Sequence, residues 1–405
     1  MKSVAIVGGG AAGFFCAIEL ASLRPDLSIT IFEKSPNVLQ KVKISGGGRC
    51  NVTHACFDPN ELVNFYPRGK KELRGPFNRF CSGDTIDWFE QKGVFLKIED
   101  DNRMFPTSNS SQTIIDCFWK EIEEKKIKVI RSEGIKQIKK LDTDGWILES
   151  ANDNTYSVDF LVLTSGSSEF VWKQVKGLGH TIIPPVPSLF TFNIKHPIIT
   201  PIPGLSVPHA SLSIPELGLE SEGPLLITHW GLSGPAILKL SAWGARELHQ
   251  ANYKFTLFVN WIASHTTNEV LELINKLKKE HPKKSCYTTS NQLVPKRLWF
   301  NVLRDVGIEE KDQWANISNK QLGHIANLLT KAEFSVNGKS TFKEEFVTAG
   351  GVDLKEINFK AFESKLHPNL FFAGEVLNID AVTGGFNFQA AWTGAWTVSQ
   401  AIAER

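Results

Sequence analysis

The chain opens on four apolar residues, Val4 to Val7, and then turns small: Gly8-Gly9-Gly10-Ala11-Ala12-Gly13 follows at once. Beyond it Phe14, Ile18 and Ala21 recur at helical spacing, and a second apolar run, Leu27 to Phe32, ends in Glu33. This pattern predicts a buried strand, a tight turn, a helix with an apolar stripe, and a second buried strand. Further on, short pieces at Ile127 to Arg131, Ile135 to Leu141, Trp146 to Ser150 and Tyr156 to Val158 are punctuated by Asp144-Gly145 and Asn152-Asp153-Asn154, as in an antiparallel meander. Phe160 to Leu163 is apolar at every position and runs into Thr164-Ser165-Gly166, as a parallel strand returning to a central sheet would.

The middle of the chain changes character twice. Asp84 to Glu124 reads as a mixed, mainly helical stretch. Between Pro184 and Pro224 prolines are dense and short alternating segments dominate, which predicts β structure with many turns. From Thr267 to Leu329 helical spacing takes over, with Val270, Leu273, Ile274 and Leu277 on one stripe and Leu322, Ile325 and Leu328 on another. The last section returns to glycine-rich turns. Leu370 to Ala373 is a strand ending in Gly374-Glu375, and Thr383 to Gln389 opens a final helix that buries Ala391, Ala395, Val398 and Ile402. The order is that of a nucleotide-binding α/β domain split by an insertion and completed by the C-terminus.

Each part of the opening motif has a physical task. Gly8 permits the tight turn, Gly10 lets the backbone approach a pyrophosphate, and Gly13 lets the helix pack closely on the strand. The phosphates then sit on unpaired N–H groups of the first helical turn, around Ala11 and Ala12, at the positive end of the helix dipole. Glu33, twenty positions after Gly13, is placed to accept hydrogen bonds from a ribose diol. Lys41, Lys43 and Arg49 bring positive charge to the run Lys41 to Asn51, and Gly46, Gly47 and Gly48 allow close backbone approach there. The C-terminal pairing selects the dinucleotide. A long, tightly held FAD needs a second acidic strand end and a second helix N-terminus, and Glu375 and the Gly384 to Gln389 turn supply them. A helix N-terminus at the flavin pyrimidine stabilises the reduced form by about 0.3 to 2 kcal/mol.

Composition narrows the partners. The 405 residues, 42% hydrophobic, suffice for two or three domains with a large core, and a net charge of +2 leaves no footprint for nucleic acid or an anionic membrane. Val4 to Leu23 is apolar enough to resemble a signal peptide or a spanning helix. It contains four glycines and Glu19 and follows no cationic run, so both readings fail. Six cysteines without framework spacing point to a reducing cytoplasm, and no Cys-x-x-Cys pair or histidine cluster suggests a metal.

Three segments carry a resemblance: KISGGGRCN at Lys43 to Asn51, ITHWGLSGPAILKL at Ile227 to Leu240, and SKLHPNLFFAGEVLNIDAVTGGFNFQAAW at Ser364 to Trp392. Together they resemble the YhiN/BaiN-like family of bacterial FAD-binding flavoproteins, often labelled NAD(P)/FAD-dependent or aminoacetone-oxidase-family oxidoreductases. The likeness implies a glutathione-reductase-like FAD-binding Rossmann domain interrupted by a β-barrel and a helical subdomain. The corresponding boundaries are 1–188 and 346–405 for the FAD domain, 189–265 for the barrel with 333–345 returning to it, and 266–332 for the helical part. It also implies cofactor contacts at Gly8 to Gly13, Glu33, Gly48-Arg49-Cys50-Asn51, Gly374-Glu375, and Gly385, Phe386 and Asn387. Lys34, Lys43, Ile135 and Gly166 complete the candidate set. Two positions depart from the family wording: Gly47 stands where an Asn is preferred and Asn378 where an Asp is common.

The expected activity is an FAD-dependent oxidoreductase. It would pass a hydride through flavin N5 between NAD(P)H or a reduced substrate and a small organic acceptor or dioxygen. No second Gly-x-Gly-x-x-Gly serves a nicotinamide, so NAD(P)H would visit transiently; Gly231-x-x-Gly234 precedes Pro235 and reads as a helix start. Two alternatives remain. One is a flavin-linked dithiol reductase using Cys50 and Cys56, whose five intervening residues exceed the four of glutathione-reductase-like dithiols. The other is a non-catalytic flavin-binding redox sensor. No catalytic acid or base is singled out by the sequence. His229 and Trp230 are the first candidates for mutation, against the plainer reading of a structural corner.

Overall fold

The computed structural model describes residues 2–142, 144–263, 265–289, 293–340 and 347–405. Packing divides the chain into two units, 1–186 with 347–405, and 187–346.

The first unit begins with β1 (Ser3–Val7), α1 (Ala11–Leu23) and β2 (Ser28–Phe32). β1 and β2 pair in parallel, Val4 facing Ile29 and Val7 facing Phe32. α1 buries Phe14, Phe15, Ala17, Ile18 and Leu20, nearly its whole circumference, as a helix enclosed on several sides must. The basic, glycine-rich run begins as a helix, α2 (Gln40–Gly48), which is broken from Ser45 to Gly47, where Gly46 and Gly47 turn left-handed at φ 58° and 68°. Next come β3 (Thr53–His54), α3 (Pro59–Leu62), α4 (Lys70–Phe77) and α5 (Ser82–Glu90). The stretch expected to be mainly helical up to Glu124 then contains a hairpin, β4 (Leu96–Ile98) and β5 (Arg103–Pro106), before α6 (Ser111–Glu124). The hairpin closes through Asn102, whose N–H donates to Glu99 O at 2.8 Å. Its strands are too short to show an alternating pattern.

A second correction concerns β6 (Lys128–Ile130). It is not part of the meander. It pairs in parallel with β2, Thr30 facing Lys128, and the chain then leaves the sheet at Ser132, φ 56°. The meander is β7 (Ile135–Lys140), β8 (Trp146–Ser150) and β9 (Thr155–Val158). β10 (Phe160–Leu163) pairs in parallel with β1 on its other side, as its unbroken apolar run suggested. α7 (Glu169–Gly177) and β11 (Ile182–Ser188) follow.

The second unit holds β12 (Thr191–Asn193), β13 (Ser206–Ile214), β14 (Leu219–Ile227), β15 (Gly231–Ser233), α8 (Pro235–Trp243), α9 (Ala245–Gln250) and β16 (Lys254–Asn260). Three helices come next, α10 (Thr267–Glu280), α11 (Lys296–Asp305) and α12 (Asn319–Thr330), then β17 (Ala332–Asn337) and β18 (Lys339–Ser340). The strands form one antiparallel sheet in the order β17-β16-β13-β14-β15-β12-β18. β17 runs through Gly338 directly into β18, so the two ends of that order are one stretch of chain. Residues 333–340 thus belong to this sheet, and 341–345 lie outside the described residues.

The chain returns to the first unit with β19 (Val347–Val352), β20 (Ile357–Asn358), β21 (Glu363–Ser364), β22 (Leu370–Phe372) and α13 (Phe386–Ala403). The completed sheet runs β20-β21-β22-β10-β1-β2-β6, parallel from β22 to β6. α13 lies on α1, with Trp392 5.4 Å from Phe15 and Ser399 Oγ donating to Cys16 O at 3.1 Å. The two ends of the polypeptide therefore share one core.

Candidate functional site

Gly8, Glu33, Gly166 and Gly374 follow the C-terminal ends of the parallel strands β1, β2, β10 and β22, the edge where open α/β sheets place their ligands. Gly8 N–H donates to Phe32 O at 2.8 Å, tying the first turn to β2. A Cβ added at Gly13 would lie 2.1 Å from Gly8 O and 2.8 Å from Thr164 Oγ1, so only glycine lets α1 sit this close to the turn. A Cβ at Gly10 would meet nothing within 4 Å. That side is open for a ligand. Gly10 is the N-cap of α1 without a side-chain cap, and the first intrahelical bond is Phe14 N–H to Gly10 O. The N–H groups of Ala11, Ala12 and Gly13 face the opening as the uncapped start of a helix.

Glu33 is held from two sides, Oε2 accepting from Gly9 N–H at 2.9 Å and Oε1 from Ser35 N–H at 2.8 Å. Each oxygen keeps a further lone pair for a diol. Glu133 N–H donates to Glu33 O at 2.9 Å, which brings the 133–135 segment alongside 33–35. Ile135 itself is buried, whereas Lys34 is exposed. Lys43 and Gly48 are also exposed. Arg49, expected to face a pyrophosphate, is engaged elsewhere: its guanidinium bonds Glu99 at 2.6 Å and lies 3.9 Å from the Phe105 ring centre. Glu99 comes from the turn of the unforeseen hairpin, so the pairing could not be read from the basic run itself. The lysine directed at the opposite wall is Lys41, whose Nζ lies 2.5 Å from Glu375 Oε2.

Gly374 stands between the two helices that converge here, its Cβ direction 3.3 Å from Ala12 Cβ and 3.8 Å from Ala391 Cβ. The Cβ direction of Gly166 points within 3.8 Å of Glu375 Oε2. Asn51, with its amide oriented so that both ends find partners, accepts from Gly385 N–H at 2.9 Å and donates to Thr53 O at 3.0 Å. Gly385 is the N-cap of α13, again without a side-chain cap. Phe386 is buried and stacked on Phe65 at 4.2 Å. The Asn387 side chain is spent on both peptide groups of Ala381, so only its backbone remains for a ligand. Beneath the first turns of α13, Gln389 Oε1 accepts from Thr53 Oγ1 and Thr85 Oγ1 at 2.6 and 2.9 Å, and its Nε2 donates to Thr393 Oγ1 at 3.1 Å. That buried network fixes the direction of the helix.

Among the described residues five buried side-chain polar atoms of this unit lack partners, and two of them, Ser165 Oγ after β10 and Asn378 Oδ1 after β22, follow strands that end at this edge. Orphaned buried oxygens are expensive without a ligand or water. Two uncapped helix starts, a tethered carboxylate and these orphans fit a dinucleotide with a polar tail. Glu375 is marked in the sequence by its place at a strand end, whereas its pairing with Lys41 and the burial of Ser165 are not.

No disulfide joins Cys50 and Cys56, the pair of the dithiol alternative: all six cysteines are free thiols. Cys50 is fully buried, and burial pushes its thiol up to about 12. Cys56 is half-buried, and its charged and thiol neighbours are Glu61, Asp58 and Cys81. In the second unit His229 and Trp230 are both exposed, on a turn closed by Thr228 Oγ1, which accepts from Trp230 and Gly231 N–H at 3.2 Å. Gly234 is the N-cap of α8 with Pro235 in its first turn, an ordinary helix start. Among the described residues no group of metal-ligating side chains occurs, and no helix is long and apolar enough to cross a membrane.

Residues 2–401 match the HI0933-like protein Rossmann domain family. The chain belongs to that family. It is an α/β Rossmann-type FAD-dependent oxidoreductase. Relatives of this HI0933-like protein include the ribosomal RNA dihydrouridine synthases of Haemophilus influenzae, 28% identical over 99% of this chain and 98% of the relative, and of Escherichia coli, 29% identical over 98% and 96%. The 3-dehydro-bile acid delta(4,6)-reductase of Clostridium scindens is 24% identical over the whole of both chains. Among solved structures, 3-ketosteroid-delta4-(5alpha)-dehydrogenase of Rhodococcus jostii shares the fold at TM-score 0.53 and 12% identity, covering all of this chain and 97% of that one.

Proposed function

We propose that this protein reduces a carbon–carbon double bond conjugated to a carbonyl, its substrate being the C5=C6 bond of a uridine in ribosomal RNA. Two full-length relatives carry the name of that reaction, and a third reduces bonds of an apolar polycycle. What unites these substrates is hydride addition to one alkene carbon and proton addition to its neighbour. The observation that carries the flavin side is that two helices starting without side-chain caps, α1 and α13, converge at Gly374, α1 through Ala12 in its first turn and α13 through Ala391 in its second.

FAD, when bound, supplies the hydride at N5. The chain's residues bind and orient it: the first turn of α1 holds the pyrophosphate, Glu33 the adenosine ribose, Glu375 the ribityl side, and the first turn of α13 the pyrimidine edge. The positive end of α13 favours the negative charge of the reduced form by about 0.3–2 kcal/mol. Electrons come from NAD(P)H as a transient visitor, so that one NAD(P)H and one proton add two hydrogens to each uridine. The net charge of +2 argued against nucleic acid, but it averages over the whole surface and leaves local basic faces open. A glutathione-reductase-like form for the first unit and a barrel form for the second accord with the parallel sheet order and with the β17–β18 continuity. A cytoplasmic location follows from this substrate. The dithiol alternative loses ground because a buried thiol pushed up to about 12 is a poor nucleophile.

The test is direct. Protein loaded with FAD and given NADH or NADPH is incubated with unmodified ribosomal RNA, and the digested nucleosides are weighed for a gain of two hydrogens. A parallel reaction offers a 3-oxo-4,6-diene steroid. Turnover of the steroid alone would move the assignment to the apolar substrate; no bleaching of the flavin by either nicotinamide would remove the donor.

A further inference from the structure

His54 stands at the start of α13. Its Nδ1 lies 3.1 Å from Gly384 O, and since a carbonyl only accepts, Nδ1 carries the proton and Nε2 is the bare nitrogen. Its ring is 4.4 Å from Phe386 and 5.7 Å from Phe65. His54 thus grips both sides of Gly385, the N-cap of α13, with a basic nitrogen left over. No hydrogen bond to Nε2 occurs among the described residues.

We propose that His54 is the redox-linked proton carrier of the site, taking a proton on Nε2 as two electrons enter and releasing it as they leave. The inference rests on the flavin reading of the site, with the pyrimidine edge at the α13 N-terminus. In the resting state two effects keep the ring neutral. Burial holds the ring below its ordinary value, against the opposite pull of its bond to Gly384 O, and the positive helix end disfavours an imidazolium as well. The charged groups facing it come from the β4–β5 hairpin: Asp101, which favours the imidazolium, and Arg103, which opposes it and is itself bonded to Asp101 at 2.7 Å. Phe65 and Phe386 present uncharged rings from the other sides. Negative charge arriving at the helix start reverses the balance. The proton count then changes: two electrons enter with one proton if His54 stays neutral and with two if Nε2 is protonated, the second coming from solvent.

The experiment is the pH dependence of the two-electron midpoint potential, measured spectroscopically on the purified holoprotein and on His54→Asn. The asparagine amide can still donate to Gly384 O but cannot titrate. Each proton taken up per two electrons contributes about 30 mV per pH unit. The wild type should show one proton more than the variant over a window opening below pH 6.5, the ordinary histidine value. If the variant loses its cofactor, proton uptake by the wild type during reduction, followed with a pH dye in weak buffer, gives the same count. Superimposable slopes, or uptake of one proton across that window, overturn the role of His54 while a yellow protein keeps the flavin reading. A protein that binds no FAD overturns both.

Discussion

Lys41 and Glu375, 334 positions apart, meet with Nζ and Oε2 2.5 Å from each other. Lys41 is in the first turn of α2 and Glu375 just past β22, so the pair spans the wall between the N-terminal and C-terminal parts of the site. The lysine side chain is 49% exposed, and a bridge of that exposure adds at most about 1 kcal/mol to folding. Its effect belongs to the ligand. Lys41→Ala and Glu375→Gln are each expected to weaken FAD binding to the apoprotein about tenfold, about 1.4 kcal/mol, with little change in apoprotein melting. Fluorescence titration with FAD measures this, and unchanged affinity in both variants would refute the assignment of Glu375 to the cofactor.

Gly10 and Gly13 separate binding from folding within one motif. At Gly13 a methyl group would collide with Gly8 O, so Gly13→Ala forces the helix off the turn and costs about 1–3 kcal/mol. At Gly10 the methyl group meets no protein atom and the backbone is extended, so Gly10→Ala should leave apoprotein stability within about 0.5 kcal/mol. It occupies the space a pyrophosphate needs, and FAD retention should fall sharply. Denaturant melts of both apoproteins beside their flavin content decide the point: equal destabilisation by the two alanines would contradict it.

The parts legible in the sequence were those whose cause is local. Val4 to Val7 and Phe160 to Leu163 are apolar because both faces of a central parallel strand are covered, and the glycines between β1 and α1 announce their own turn. The pieces that escaped depend on distant partners. Ile127 to Arg131 looks like its neighbours in the meander, and only the open edge of β2 draws it into the main sheet. Arg49 belongs to a basic run by composition but is claimed by Glu99, fifty residues on. In the sequence Ser165 is only one of the small residues closing a strand and Asn378 only a departure from the family wording; that both are buried without a partner depends on the folded chain.

The cysteines make a prediction about reactivity. Cys16, Cys50 and Cys286 are buried, and burial pushes each thiol up to about 12. Cys56 and Cys81 are raised less and are partly accessible. Iodoacetamide at pH 8 should therefore modify Cys56 and Cys81 first in the folded protein, and Cys56→Ser should leave turnover intact. Peptide mapping checks the order. Early labelling of Cys50, together with loss of turnover in the Cys56 variant, would revive a dithiol mechanism.

Glu133 gives the fold an acid limit of its own. Its carboxylate accepts from Asn154 Nδ2 at 2.8 Å and Tyr156 OH at 2.9 Å, and from Asn152 as well, anchoring the β8–β9 turn to the chain that leaves β6. These donors hold the acid down at about 2 in the fold, against an ordinary value of 4.5. A depressed carboxylate stabilises the folded state fully above its unfolded value, and that contribution falls away as pH drops from about 4.5 towards 2. Glu133→Gln removes the charge while keeping the shape, leaving an amide among donors, and should cost on the order of 2 kcal/mol at pH 7. The gap between variant and wild type should close progressively below pH 4.5, read from urea melts at stepped pH. A gap that stays constant down to pH 2.5 would mean that the charge of Glu133 does not contribute.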